Sequence, residues 1–140
     1  MTIPDDIWKA YKKHMKKTIQ TPGAPAPIGP YSPAILVDKT LYMSGQIPLN
    51  PLNGELVVDS IENATHQVMK NILALLKEAN MDAENIVKCS IFLKDLNDFA
   101  KVNEVYGSYF SSNPPARETV QVAKLPLDVP IEISCIAIGG

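Results

Sequence analysis

Thirteen residues of this chain are lysine or arginine, and only one of them, Arg117, is arginine. It sits in Pro114-Pro115-Ala116-Arg117, at the mouth of an expected strand. Lysine suffices for solubility. A planar fork of five donors suits a place where a carboxylate or phosphate is gripped by two parallel hydrogen bonds. A bare surface cation behind a proline turn is the plain alternative, but two prolines stiffen the approach and favour a positioned group. Glu132 is the second charged residue of interest, flanked by Ile131 and Ile133 in the most apolar strand-like run. A carboxylate there is costly without partners. It either reaches water at a strand edge or holds and activates a water, accepting a proton.

Weaker signals accompany these two. Tyr31 follows Gly29-Pro30 and offers a hydroxyl donor, although a buried ring is the commoner fate. Ser44-Gly45 at a strand end offers a hydroxyl and a close backbone approach, the mark of a small-ligand contact or of a bulge. Asn103 lies in mid-helix, where asparagine is mildly unfavourable without a polar contact. The two histidines are His14 and His66. No His/Cys/Asp cluster has zinc spacing, and neither a GxGxxG nor a Walker loop occurs, so no metal and no nucleotide cofactor is expected. A Ser-His-Asp triad would have to recruit His66, with nothing to recommend it.

The elements that must place these residues follow from periodicity. Residues 21–33 carry five prolines and two glycines, a stiff, extended entry segment. Residues 34–37 and 40–44 form a hairpin around Asp38-Lys39. Asn53-Gly54 marks a turn. Asp59 with Glu62 forms a capping box for a helix over 60–79, whose Ile61, Ala64, Val68, Ile72, Leu75, Leu76 and Ala79 face the core. Asn80 stops it. Residues 86–93 alternate as a strand. Asn97 caps a second helix to about Phe110, with Phe99, Val102, Tyr106 and either Tyr109 or Phe110 inward. Strands over about 118–123 and 131–138 close the chain.

The order ββ(β)αβαββ predicts an α+β two-layer sandwich, with two helices on one face of a five- to six-stranded mixed sheet. Its second face is half apolar, which calls for burial against copies of the same chain in a closed homo-oligomer. Arg117 and Glu132 would stand at the two ends of a final antiparallel hairpin, roughly 20 Å apart. A site using both would draw them from different subunits.

Composition sets the frame. Hydrophobic residues make up 46% and charged residues 20% of 140, with a formal charge of −2. One compact domain fits that length, and no global field draws nucleic acid or an anionic membrane. No run approaches the roughly 20 apolar residues of a spanning helix. Cys89 and Cys135 read as buried free thiols, a disulfide being the alternative, and a reducing, cytoplasmic setting is the default. Residues 1–14 read either as a leader fused ahead of a native start at Met15 or as an N-terminal docking helix, so the domain is placed at 15–140.

Taken together, several stretches resemble the Rid family of reactive-intermediate (enamine/imine) deaminases, also called YjgF or L-PSP. They are Ile28-Gly29-Pro30-Tyr31-Ser32, Leu41 to Pro48, Ile86 to Phe99, Val102-Asn103, Pro115-Ala116-Arg117, Leu125-Pro126 and Ile131-Glu132-Ile133. The resemblance covers about 19–138. It implies a chorismate-mutase-like fold, a homotrimer with clefts between subunits, and cofactor-free hydrolysis of 2-iminobutanoate and 2-iminopropanoate to 2-oxo acids and ammonia. By the same resemblance Arg117 grips the substrate carboxylate and Glu132 places the attacking water. Tyr31, Ser44, Gly45 and Asn103 line the cleft. Many relatives carry a cysteine two residues after the arginine, where this chain has Thr119. The hydroxyl and backbone of Thr119 remain available to the site, whereas thiol chemistry there does not. An endoribonuclease or translation inhibitor, and a non-catalytic ligand-binding or chaperone-like trimer, are the alternatives.

Overall fold

The computed structural model describes residues 1–140, the side chain of Lys13 excepted. Three helices and six strands follow in the order α1 (Asp5–Lys13), β1 (Lys17–Ile19), β2 (Ala34–Val37), β3 (Thr40–Gln46), α2 (Ile61–Glu78), β4 (Ile86–Leu93), α3 (Phe99–Gly107), β5 (Ala116–Gln121) and β6 (Ile131–Ile138). The strands form one mixed sheet in the order β1-β2-β3-β6-β4-β5. Only β4 and β5 are parallel, as the α3 crossover between them requires. The two-layer α+β fold expected from the sequence is present, with α2 and α3 on one face.

Helix α2 supplies most of the helical side of the core. Val68, Met69, Ile72, Leu75 and Leu76 are fully buried against Leu41, Ile91, Ile131 and Ile133 of the sheet. Its cap lies one residue later than the expected Asp59: the Ser60 hydroxyl accepts from the Asn63 N–H, while the Asp59 carboxylate accepts from the Asn63 amide. The stop is at Asn80, as expected. Asn80 is left-handed at φ 58°, its N–H donates to Lys77 O, and the Met81 N–H donates to Leu76 O. That pair of bonds is a Schellman motif. Helix α3 begins later than Asn97 and ends before residue 110. Asp95 caps a 3-10 turn (Leu96–Asp98) that feeds it. Strand β5 starts and ends two residues ahead of the expected 118–123.

The final hairpin does not exist. Strand β4 lies between β5 and β6, and β6 pairs with β3 on its other side. The nine-residue link 122–130 was short enough to suggest a hairpin, but it passes over the end of β4. There the Val122 N–H donates to Leu93 O, the Lys94 N–H donates to Pro130 O, and Lys94 pairs with Asp128 at 3.0 Å. Two consecutive left-handed residues, Leu127 (φ 55°) and Asp128 (φ 56°), make the reversal. Neither is the glycine or asparagine that would have announced it.

The uncovered face of the sheet is as apolar as expected. Ile35, Tyr42 and Ile136 form one cross-strand row, and Phe92 stands between Glu132 and Val120 in another. Tyr42 is 51% and Ile138 46% exposed, values that leave large apolar groups in water. Helix α1 is exposed along its described length.

One buried polar side chain fixes the loop after β3. Asn71 is fully buried on α2, and its amide donates to Ile47 O at 3.1 Å and Leu49 O at 3.0 Å. Asn71→Ala leaves both carbonyls without that donor. It should lower stability by about 2 kcal/mol, read as a lower urea midpoint at unchanged slope.

Candidate functional site

Register decides where the two charged residues point. Arg117 pairs with Cys89 and Thr119 with Ile91, both on the helix-covered face, whereas Glu132 pairs with Phe92 on the open face. Cys89 and Phe92 are three residues apart on β4, an odd number, so their neighbours face opposite ways. The offset along the strand is about 10 Å and the two strand spacings, at right angles to it, also span about 10 Å, which puts the two Cα atoms about 14 Å apart. The separation within one chain is therefore shorter than the hairpin implied, but the sheet itself stands between the two groups.

On the helix side, α3 presents Phe99, Asn103 and Tyr106 at i, i+4 and i+7 toward the edge strand β5. The Arg117 guanidinium carbon lies 5.1 Å from the Tyr106 ring centre and 5.6 Å from that of Phe99. A hollow of about 340 Å³ opens there, lined by Asn103, Tyr106, Gly107, Pro114, Pro115 and Arg117. Among the described residues the ion pairs are His14–Asp38, Lys88–Glu118 and Lys94–Asp128, and Arg117 belongs to none. Three buried polar atoms around it also lack partners: Asn103 Oδ1, Tyr106 Oη and Thr119 Oγ1. The Tyr106 hydroxyl faces the Cys89 thiol without closing a hydrogen bond of good geometry. Burial, and then Cys89, push its pKa up, so the phenol stays protonated. Burial likewise raises the Cys89 thiol, which is no nucleophile here.

On the open side, Ser44 and Gly45 form the bulge their types suggested, since Met43 pairs with Cys135 but Gln46 with Ile133. The Ser44 hydroxyl donates to Ser32 O at 2.7 Å and so ties β3 to the entry segment. A Cβ on Gly45 would lie 2.5 Å from Glu132 Oε2, so only glycine admits the carboxylate in this position. Burial raises the Glu132 pKa. Tyr31 stands nearby, about half exposed, its hydroxyl accepting from the Ile28 N–H at 3.3 Å. Tyr31 and Gly45 share the lining of a small hollow. A larger hollow, about 720 Å³, adjoins it between the entry segment and loop 49–54, and its lining carries no charged side chain.

The residues singled out from sequence thus fall into two groups. Arg117, Asn103 and Thr119 meet on one face, and Glu132, Gly45, Ser44 and Tyr31 on the other. Phe99 and Tyr106 were read as core positions only. Their shared helical face with Asn103 was the available hint. Gln46, next to the Ser44-Gly45 signal, had no role of its own in the sequence; it is buried and its amide donates to Ser44 O at 3.1 Å, bracing the bulge.

Comparison with known proteins adds the lineage. The family model described as Endoribonuclease L-PSP matches residues 21–139. The human protein named 2-iminobutanoate/2-iminopropanoate deaminase is 48% identical over 126 residues, which is 90% of this chain and 92% of that one. The chain belongs to the Rid (L-PSP) family. Among solved structures, YyfA of Yersinia pestis, described as a protein of unknown function of the conserved Rid family, is 46% identical. It superposes with a TM-score of 0.87, covering 89% of this chain and 100% of that one. Escherichia coli TdcF, crystallised with bound serine, is 38% identical with a TM-score of 0.85, covering 89% and 99%. The two-group arrangement of this Rid protein is therefore set in a fold shared along nearly the whole of those chains.

The raised Glu132 carboxyl has a stability consequence. A folded-state pKa above the unfolded one means that ionisation costs stability. The cost is absent below the unfolded carboxyl range, about 4.3, and grows as pH rises through the folded value. Glu132→Gln should therefore raise Tm at pH 7, with the gain vanishing toward pH 4. Gly45→Ala should push the carboxylate outward and return its titration toward the ordinary range, measured by carbon-13 NMR of the glutamate carboxyls.

Proposed function

We propose that this Rid protein hydrolyses short 2-imino acids, such as 2-iminobutanoate and 2-iminopropanoate, to 2-oxo acids and ammonia without a cofactor. The observation that carries this reading is Arg117: a half-buried guanidinium with no ion pair, at a hollow that it lines together with Asn103 and Tyr106. Five directed donors without a carboxylate are suited to receive one. The name of the human relative and the amino acid bound to TdcF point the same way.

The chemistry asks little more of the protein. The carbon of a protonated imine is already electrophilic, so orientation and a well-placed water supply most of the catalysis. Glu132 takes a proton from the water as its oxygen bonds to that carbon. It then returns the proton to nitrogen and takes the proton of the carbinolamine hydroxyl as the C–N bond breaks, leaving the 2-oxo acid and ammonia, to which that last proton passes. A carboxylate with a raised pKa is a better base for this task than an ordinary one.

Because the sheet separates Arg117 from Glu132 within one chain, the complete cleft takes Arg117, Asn103 and Thr119 from one copy. Glu132, Tyr31, Ser44 and Gly45 come from its neighbour. A homotrimer that buries the apolar open face meets both needs. The domain is assigned to residues 15–140 and the setting to the cytoplasm. No helix of the described residues is long and apolar enough to cross a membrane. An RNA-cleaving reading has less support: His14 is paired with Asp38 and His66 with the Tyr109 hydroxyl, on separate elements.

A threonine dehydratase supplying imine provides the test. Added protein should accelerate 2-oxobutanoate release. Arg117→Ala should return the rate to background, and Glu132→Gln should keep 2-oxobutanoate binding while losing about 10²–10⁴ in rate. No acceleration by the wild type would reject the proposal.

A further inference from the structure

We propose that Tyr106 is a positioning residue, whose ring holds the Arg117 guanidinium in the plane that receives a carboxylate. The inference rests on the reading of Arg117 as a carboxylate anchor and adds the device that aims it. Arginine carries many rotamers, and a bidentate grip uses only one orientation of the fork. Salt bridges usually fix such a group, yet Arg117 has none. What touches it instead is aromatic: Tyr106 at 5.1 Å and Phe99 at 5.6 Å.

The two rings differ in their own rigidity. Phe99 is 39% exposed at the start of α3, so its ring is covered by the chain on fewer sides. Tyr106 is only 4% exposed and is backed by Phe110, whose ring centre lies 4.9 Å away at a tilt of 52°. Tyr106 also lines the hollow beside Arg117, one helical turn from Asn103. A fixed π-face attracts the cation without spending any of its five donors, leaving the fork for a ligand. An acidic partner would hold the arginine as firmly but would occupy the fork and repel the incoming carboxylate.

The phenol hydroxyl is a separate matter, since it points at Cys89 rather than at Arg117. The ring is therefore the working part, and phenylalanine should replace it. This gives the test its form. With 2-oxobutanoate as the calorimetric probe, Tyr106→Phe should bind within about twofold of wild type. Tyr106→Met fills the space without a π-face and should weaken binding about 3- to 30-fold, the range of a cation–π contact. KM in the dehydratase-coupled assay should rise by a similar factor, with kcat changed less. Leu41→Ala, a buried change on β3, three strands away from the strand of Arg117, should lower Tm without moving Kd.

The lone arginine supplies a second readout. Its Nε–H gives a single resonance in nitrogen-15 spectra, and in wild type that proton should show Overhauser contacts to the Tyr106 ring. Absence of those contacts would overturn the proposal even if Tyr106→Met failed to fold. So would wild-type affinity in Tyr106→Met, or equal losses in the methionine and phenylalanine variants. Leu41→Ala weakening binding as much as Tyr106→Met would reduce Tyr106 to a packing role. If Arg117→Ala itself binds 2-oxobutanoate normally, the anchor reading fails first, and that result is distinct from all the others.

Discussion

Strand β4 is the element on which the arrangement depends. It is the only strand that pairs in parallel on one side and antiparallel on the other. The parallel pairing obliges the chain to leave through a helix, and that helix, α3, lands above the edge strand it has just created. The ring-bearing face of α3 and the arginine of β5 are therefore neighbours for a topological reason. The antiparallel pairing with β6 fixes, by parity, that Glu132 faces away from them. A one-residue slip in either register would invert one group and place the arginine or the carboxylate on the wrong side of the sheet.

Protein interiors seldom leave polar groups unpaired, because each costs about 1–3 kcal/mol. Here three such atoms gather about one unpaired cation at a sheet edge. The opposite group shows the same economy of packing. A carboxylate is pressed onto a glycine at a bulge, where its charge is partly stripped of water. The rest of the sheet is conventional: its buried face is made almost wholly of aliphatic and sulfur side chains, and Met43 Sδ lies 3.6 Å from Cys135 Sγ. Polar irregularity is thus concentrated at the two places where the sequence put its least expected residues.

Much of this was legible from residue order. The stripe of α2, the alternation of β4 and β6, and the stop at Asn80 each follow from periodicity or a single strong signal, and the structure reproduces them. The bulge at Ser44-Gly45 was one of two stated readings. The strand order was not legible. A nine-residue link reads like a hairpin, and the reversal that makes it a crossing is built on Leu127 and Asp128, types that do not advertise a left-handed backbone. Caps were misplaced by one or two residues because Asp59, Ser60, Asp95 and Asn97 all have capping side chains, and only three-dimensional geometry selects among them. The aromatic support of Arg117 was invisible for another reason: an inward ring looks the same in sequence whether it meets a leucine or a guanidinium.

The placement of Arg117 and Glu132 on opposite faces also bears on inheritance. If each cleft borrows one group from each of two copies, a chain that has lost its arginine still offers an intact carboxylate to its neighbour, and the reverse. Two alleles, each inactive alone, would then restore part of the activity when their products assemble together, because some clefts would receive both sound halves. Conversely, a single chain that has lost both groups would disable two clefts rather than one. The pleat of a single strand would thus set how the gene tolerates damage.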